Sequence, residues 1–255
     1  MSLGLNFNLS LSYSQSRTRA RSKASRTRTS LPKTLKYFQI IRSLPAVSIM
    51  LVLNKISYFQ NRRDEVPNKE LAKTLAETED KAGIAELVTN LKHKNKSVQS
   101  DCLSVLYHIG YVKPHLIADY VENFLALLKS KNNRLVWGGM IALSTIADLK
   151  TKEICANLDT VKQAIAKGTL ITVVWGVKTI AKVASSDKSC KPDIVPILLS
   201  QLKKCIPRDV AMHFENSLPA IDDENKVMFL RIAEDRKKEL TTSQLARIKK
   251  AMKNL

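Results

Sequence analysis

Aromatic residues are scarce in this chain, at 5% of 255 positions, and glycine and proline are scarcer still, with 7 and 8 residues. So little glycine and proline rules out fibrous and low-complexity chains. The shortage of aromatics argues against a β-rich core, because strands favour aromatic and β-branched side chains whereas an aliphatic, lysine-rich composition favours helices. Cysteine is limited to Cys102, Cys155, Cys190 and Cys205. No Cys-x-x-Cys pair and no Cys/His group at zinc spacing occurs among them. The four are accordingly expected to be reduced thiols in a reducing, cytoplasmic compartment. Long apolar runs are missing too. Residues 44–53 are apolar but Arg42 and Lys55 bracket them, far short of the ~20 residues a membrane span needs.

Acidic residues are absent before Asp64. Residues 1–63 hold 12 Lys/Arg, while residues 64–255 hold 30 basic and 23 acidic groups, a net of +7 out of the chain's +19. The segment 1–63 is therefore read as a basic, acid-free extension, disordered for want of apolar surface to bury. It has three readings: a non-native start, with Met50 as the alternative first residue; an organelle transit peptide, which is Arg- and Ser-rich and acid-poor; and an arm that contacts phosphates.

The sequence also lacks a phosphate-binding glycine loop, a Gly-x-Ser-x-Gly elbow and a His-Glu-x-x-His pair. His93, His108, His115 and His213 are scattered, and each reads as structural. Asp222-Asp223-Glu224 is the densest acidic run, and its plainer role is to face the positive end of the following helix. No catalytic residue, metal ligand or cofactor follows from the sequence.

Periodicity is abundant instead. Ile84, Leu87, Val88 and Leu91 follow helical i, i+3, i+4, i+7 spacing. A polar turn, Lys94-Asn95-Lys96-Ser97, precedes a second apolar helix with Cys102, Leu103, Leu106 and Ile109 on one face. A step of 37 residues converts Leu87 and Leu91 into Phe124 and Leu128, and Leu106 and Ile109 into Leu143 and Ile146. Further steps reach Val161 and Ile165 with Ile180 and Val183, then Leu198 and Leu202 with Val210. Four units are expected at about 84–113, 121–150, 158–187 and 194–222, within a repeat domain of residues 64–255 closed by a C-terminal cap over 223–255. Residues 67–78 are expected to form an opening helix and 241–254 a closing one, inward through Leu245, Ile248 and Met252.

Two-helix units of this length resemble HEAT and armadillo-like repeats, and Leu135-Val136-Trp137-Gly138-Gly139-Met140-Ile141-Ala142-Leu143 is similar to the second helix of a HEAT unit. The resemblance spans roughly residues 67–238. It implies an all-α fold, a right-handed α-α superhelix of four to five helix pairs, working as a non-catalytic scaffold for a macromolecule. A protein is the expected partner and nucleic acid the alternative. The same resemblance implies that second helices line a concave face.

Trp137 and Trp175, the two tryptophans, open adjacent second helices within near-copies Val-Trp-Gly slipped by one residue. They are candidate binding platforms, and packing between repeats is the plainer alternative. Lys92, Lys94 and Lys96, with Lys129, Lys131 and Arg134 one repeat later, form a candidate basic ridge for phosphate or acidic proteins. The C-terminal cap crowds Arg236, Lys237, Lys238, Arg247, Lys249, Lys250 and Lys253. Alkylpurine DNA glycosylases of the AlkD-like kind share a HEAT-like solenoid with aromatic and acidic groups on its concave face. Trp137, Trp175 and Asp148 invite that comparison, but the catalytic arrangement does not align, so the likeness is of fold.

Overall fold

The computed structural model describes residues 51–253, and among them there are thirteen α-helices and no strand. Pairs of antiparallel helices follow one another along the chain. An opening unit holds the short 3-10 turn Val52–Lys55 and helix α1 (Val66–Thr78). Unit one pairs α2 (Lys81–Thr89) with α3 (Lys96–Val112). Unit two has a short α4 (His115–Ala118), α5 (Val121–Leu127) and α6 (Asn133–Ile146). In unit three a short α7 (Thr151–Ala156) leads into α8 (Leu158–Lys167) and α9 (Leu170–Ser186). Unit four is α10 (Lys191–Lys204) and α11 (Val210–Ser217), and the closing unit is α12 (Lys226–Asp235) and α13 (Thr242–Met252).

The helices start where side chains can take up free backbone N–H groups. Asn95 Oδ1 accepts from Ser97 N at 2.8 Å and Asn132 Oδ1 from Arg134 N at 3.1 Å, so the two polar turns carry equivalent caps. Thr241 and Gln244 form a reciprocal capping box at the start of α13. Apolar positions related by the 37-residue step are buried in units one to three: Leu87, Phe124 and Val161 in the first helices, Leu106, Leu143 and Ile180 in the second, all at 0% exposure. At about 1.5–3 kcal/mol per fully buried aliphatic side chain, this repeating face is what holds the stack.

The second helices α1, α3, α6, α9, α11 and α13 pack directly on one another along the stack. Close approach needs glycine at defined points: a Cβ on Gly138 would lie 2.6 Å from Leu103 Cδ2 of α3. Between the first helices, grooves remain instead. One of about 410 Å³ is lined by Leu128, Val136 and Ala164, and one of about 630 Å³ by Ile165, Val173 and Ile197. A stack tight on one layer and gapped on the other bends toward the tight layer, so the second helices form the concave face.

Two expectations need correction. The folded unit takes in residues 51–63, which the charge boundary at Asp64 had assigned to the extension. Ile56 is fully buried, the Glu86 carboxylate accepts from the backbone N–H of Val52 and Leu53 at 3.1 and 3.2 Å, and Asp101 accepts from Tyr58 N at 2.7 Å. Basic surface residues here share a segment with Val52 and Ile56, which complete the core that α1 would otherwise leave open. The readings of residues 1–50, Met50 included, lie outside the described residues.

The second correction concerns the thiols. Cys155 and Cys190 form a disulfide with Cα atoms 6.2 Å apart, while Cys102 and Cys205 are buried and free. The two bonded residues are 35 positions apart, close to the repeat period, so they occupy equivalent entries to adjacent first helices and meet through stacking. No helix among the described residues is long and apolar enough to cross a membrane.

Candidate binding face

A connected group of aromatic rings lies on the concave surface of units one to three. Trp137 of α6 and Trp175 of α9 are half-buried. The slip between their near-copy segments has a packing cause. Gly139 and Gly176, 37 residues apart, are the equivalent pair, each facing its own first helix: a Cβ would come within 3.0 Å of Leu127 Cβ and 2.4 Å of Ile165 Cγ1 respectively. Trp137 lies two residues before its glycine and Trp175 one, so at about 100° per residue they leave their helices in different directions.

The two indoles are not neighbours; tyrosines of α3 join them. Trp137 lies 6.4 Å from Tyr107, Tyr107 lies 6.0 Å from Tyr111, and Tyr111 lies 6.0 Å from Trp175, all between ring centroids. Tyr107 and Tyr111 are one helical turn apart, which puts both rings on one face. Tyr111 is 48% exposed, whereas Tyr107 is buried. His108 touches both tyrosines, tilted against Tyr107 at 4.8 Å and edge-on to Tyr111 at 5.7 Å. Lys178 Nζ stands 4.7 Å over the Trp175 ring, a cation–π contact within α9.

Polar groups flank the rings. Glu65, at the start of α1, accepts from the Tyr107 hydroxyl at 3.3 Å and lies 3.8 Å from His108 Nε2. A cavity of about 190 Å³ opens beside Trp137, bounded by Glu65, Asp101, Ser104, Tyr107 and Arg134. Burial dominates the titration of this region. It pushes the Tyr107 phenol up to about 12 and raises that of Tyr111. It lowers His108 against the opposing pull of Glu65, and raises Asp101 despite the Tyr58 N–H. At neutral pH the face thus presents phenols and a neutral imidazole, groups suited to stacking and hydrogen bonding.

Of the sequence candidates, Trp137 and Trp175 belong to this face. Lys92, Lys94, Lys129 and Lys131 lie instead in the turns between first and second helices, and Lys96 is the first residue of α3. Lys129 and Lys131 border the 410 Å³ groove on the outer layer, while Arg134 borders the small cavity beside Trp137. Asp148 does not join the tryptophans: its carboxylate accepts from Lys182 Nζ and Ser186 Oγ, each at 3.2 Å. The sequence reading passed over Tyr107, Tyr111 and Glu65. The i, i+4 tyrosine pair in a chain with 6 tyrosines was the available signal. Among the described residues no group of three or more His, Cys, Asp or Glu is placed to hold a metal ion.

Comparison with known proteins places the fold and no more. No protein-family profile and no curated protein sequence matches the chain. A designed armadillo repeat protein in complex with the peptide (KR)4 aligns with a TM-score of 0.58 at 14% identity, covering 87% of this chain and 99% of its own. An engineered protein aligns with a TM-score of 0.54 at 19% identity over 79% and 95% of the two chains. A computationally designed armadillo repeat protein for modular peptide recognition gives 0.54 at 13% identity over 72% and 85%. With its stacked helix pairs and its concave layer of second helices, this chain has the fold of the HEAT and armadillo-like repeat proteins.

Proposed function

We propose that the protein is a non-catalytic scaffold that holds a segment of a protein partner on its concave face. The observation that carries this is the aromatic run Trp137–Tyr107–Tyr111–Trp175, which spans three repeat units and has its most exposed ring at Tyr111. Aromatic side chains on a rigid surface give large contact area at little entropic cost and are frequent anchors of binding energy. Glu65 and Asp101 beside the rings, with Lys178 and Lys182 farther along α9, supply polar contacts at either end. Two of the structural neighbours are described by their peptide ligand or by peptide recognition, which supports an extended peptide as the form of the partner. The Cys155–Cys190 bond favours an oxidising compartment over the cytosol expected from composition.

The test is a selection of displayed peptides on the full chain, followed by titration of the enriched peptides against tryptophan fluorescence. Binding that shifts the emission and weakens at least tenfold in Tyr111→Ala is the expected result. Enriched peptides whose affinity is indifferent to Tyr111→Ala, Trp137→Ala and Trp175→Ala alike would remove the aromatic run as the binding face. Incubation with methylated DNA is expected to release no base.

A further inference from the structure

Charge is sorted between the two edges of the solenoid. Every turn from first to second helix lies on one edge, and every connection between units on the other. The stretches that contain the first-to-second turns of units one to four, residues 87–100, 123–147, 160–186 and 194–208, hold no Asp or Glu. Each carries exposed lysines, among them Lys94, Lys131, Lys167 and Lys204, one from each turn. None of the four lies within 4 Å of a carboxylate among the described residues. The opposite edge is balanced by ion pairs, Lys113 with Glu79, Lys150 with Asp119 and Glu153, and Lys191 with Asp222.

Helix dipoles explain half of this pattern. Lysines at the ends of first helices and acids at their starts, such as Glu122, Asp159 and Asp193, suit the dipole and stabilise the helices. The second helices start on the basic edge, where the same rule favours acids. Yet α3, α6, α9 and α11 have no acidic residue in the first turn, and α3 and α6 take neutral Asn95 and Asn132 as caps. Asp209 is the one acid at such a start, and it is buried and paired with Arg208 at 3.6 Å. Helix stability alone does not account for an edge whose four turns carry no exposed acid.

We propose that this edge binds the phosphate backbone of nucleic acid, on a surface separate from the aromatic face. Stacked helices lie about 8–10 Å apart, so four successive turns span roughly 25–30 Å. B-DNA presents one charge per ~1.7 Å of axis, about 15 phosphates over that length. A regular row of flexible ammonium groups suits a ligand whose charge recurs evenly. In units one and two the exposed turn residues are Lys, Asn, Ser and Arg, with a half-buried His93 in the first, so they offer the donors that phosphate contacts use without the apolar anchors that a protein interface needs. A membrane surface calls for apolar side chains among the cations. Exposed Leu170, Ile171 and Ile206 supply these in units three and four only.

The experiment titrates the full chain with a labelled DNA duplex over a series of salt concentrations. Two quadruple variants are compared, Lys94, Lys131, Lys167 and Lys204→Ala on the edge, and Lys81, Lys152, Lys188 and Lys249→Ala elsewhere, with the same change in net charge. Each edge lysine on a phosphate contributes about 0.9 to the slope of log K against log salt, so the edge variant should lose roughly 3–4. The control variant should keep the wild-type slope. Equal losses in both variants would reduce the effect to net charge. A wild-type slope retained in both would assign binding to the basic N-terminal segment, and no binding at low salt would remove the proposal. Parallel titrations with polyglutamate and with phosphatidylserine vesicles complete it: tighter edge-dependent binding to either than to the duplex overturns nucleic acid as the ligand.

Discussion

Tyr111 of unit one reaches across α6 to pack against Trp175 of unit three, with ring centroids 6.0 Å apart. Contacts in a solenoid run mainly between neighbouring units, and this one skips a unit. It therefore couples the curvature of three repeats to one pair of rings. An aromatic pair of this kind contributes about 0.5–1.5 kcal/mol beyond its buried area. In a double-mutant cycle by urea denaturation, Tyr111→Ala and Trp175→Ala should show coupling of that size. Strict additivity would mean that the rings share a surface without supporting each other, and a preformed binding face would lose its basis.

The Cys155–Cys190 bond should be a measurable part of the stability. It closes a loop of 35 residues between units three and four. In the chain-entropy account a loop of that length is worth roughly 3–4 kcal/mol. Replacing both cysteines by serine, or adding dithiothreitol, should lower Tm by roughly 6–15 °C in a domain of this size. Mass spectrometry of alkylated, unreduced protein should find two free thiols, Cys102 and Cys205. Four alkylated cysteines would show that the bond does not form and would return the chain to a reducing compartment.

These two contacts also mark how far sequence carries. The period of 37 was legible because burial repeats: Leu87, Phe124 and Val161 are the same position in three units, and a single face of each helix must be apolar. The caps Asn95 and Asn132 were legible as turn chemistry for the same reason. The disulfide was hidden in the same arithmetic, since a spacing of 35 brings two cysteines together only once stacking is assumed. The aromatic run was illegible because the slip between Trp137 and Trp175 is a rotation of about 100°, and its consequence depends on which glycine meets which helix. The boundary at Asp64 failed because charge reports surface chemistry, whereas membership of the fold was decided by Val52 and Ile56.

Arg236 tests the same distinction. Sequence groups it with the cations that crowd the C-terminal cap, but its side chain is only 11% exposed. Its Nη1 donates to the carbonyls of Leu202 at 2.9 Å and Cys205 at 2.7 Å, closing the end of α10, while Nε and Nη2 engage Glu239 at 3.2 and 2.6 Å. That pairing holds the Glu239 carboxyl below its ordinary range. Arg236→Ala strands the Cys205 carbonyl and leaves that of Leu202 with only the Cys205 thiol at 3.5 Å, and it is expected to cost about 2–4 kcal/mol, read as a lowered urea midpoint. Arg236→Lys keeps the charge but loses the planar fork, and should fall between. An alanine variant as stable as wild type would show that water satisfies the end of α10 equally well.

His213 sets the acid side of the stability profile. It is 2% exposed in α11, and its Nδ1 has no hydrogen-bond partner among the described residues. Burial lowers its pKa, against a smaller opposing pull from Asp209 one turn before it. The folded state therefore binds this proton less readily than the unfolded chain, whose histidine titrates near 6.5. Stability from the neutral imidazole is complete above that value and is lost as pH falls below it. His108 is shifted in the same direction by its own burial, so both contribute to the slope. His213→Leu removes a titrating group and an unsatisfied buried nitrogen at once. It should raise Tm at pH 7, and raise it further at pH 5, as the wild type weakens and the variant retains only the His108 contribution. Melting curves of the two proteins that stay parallel from pH 7 to pH 5 would show that His213 takes up its proton in the folded state without penalty, and that the buried nitrogen finds water.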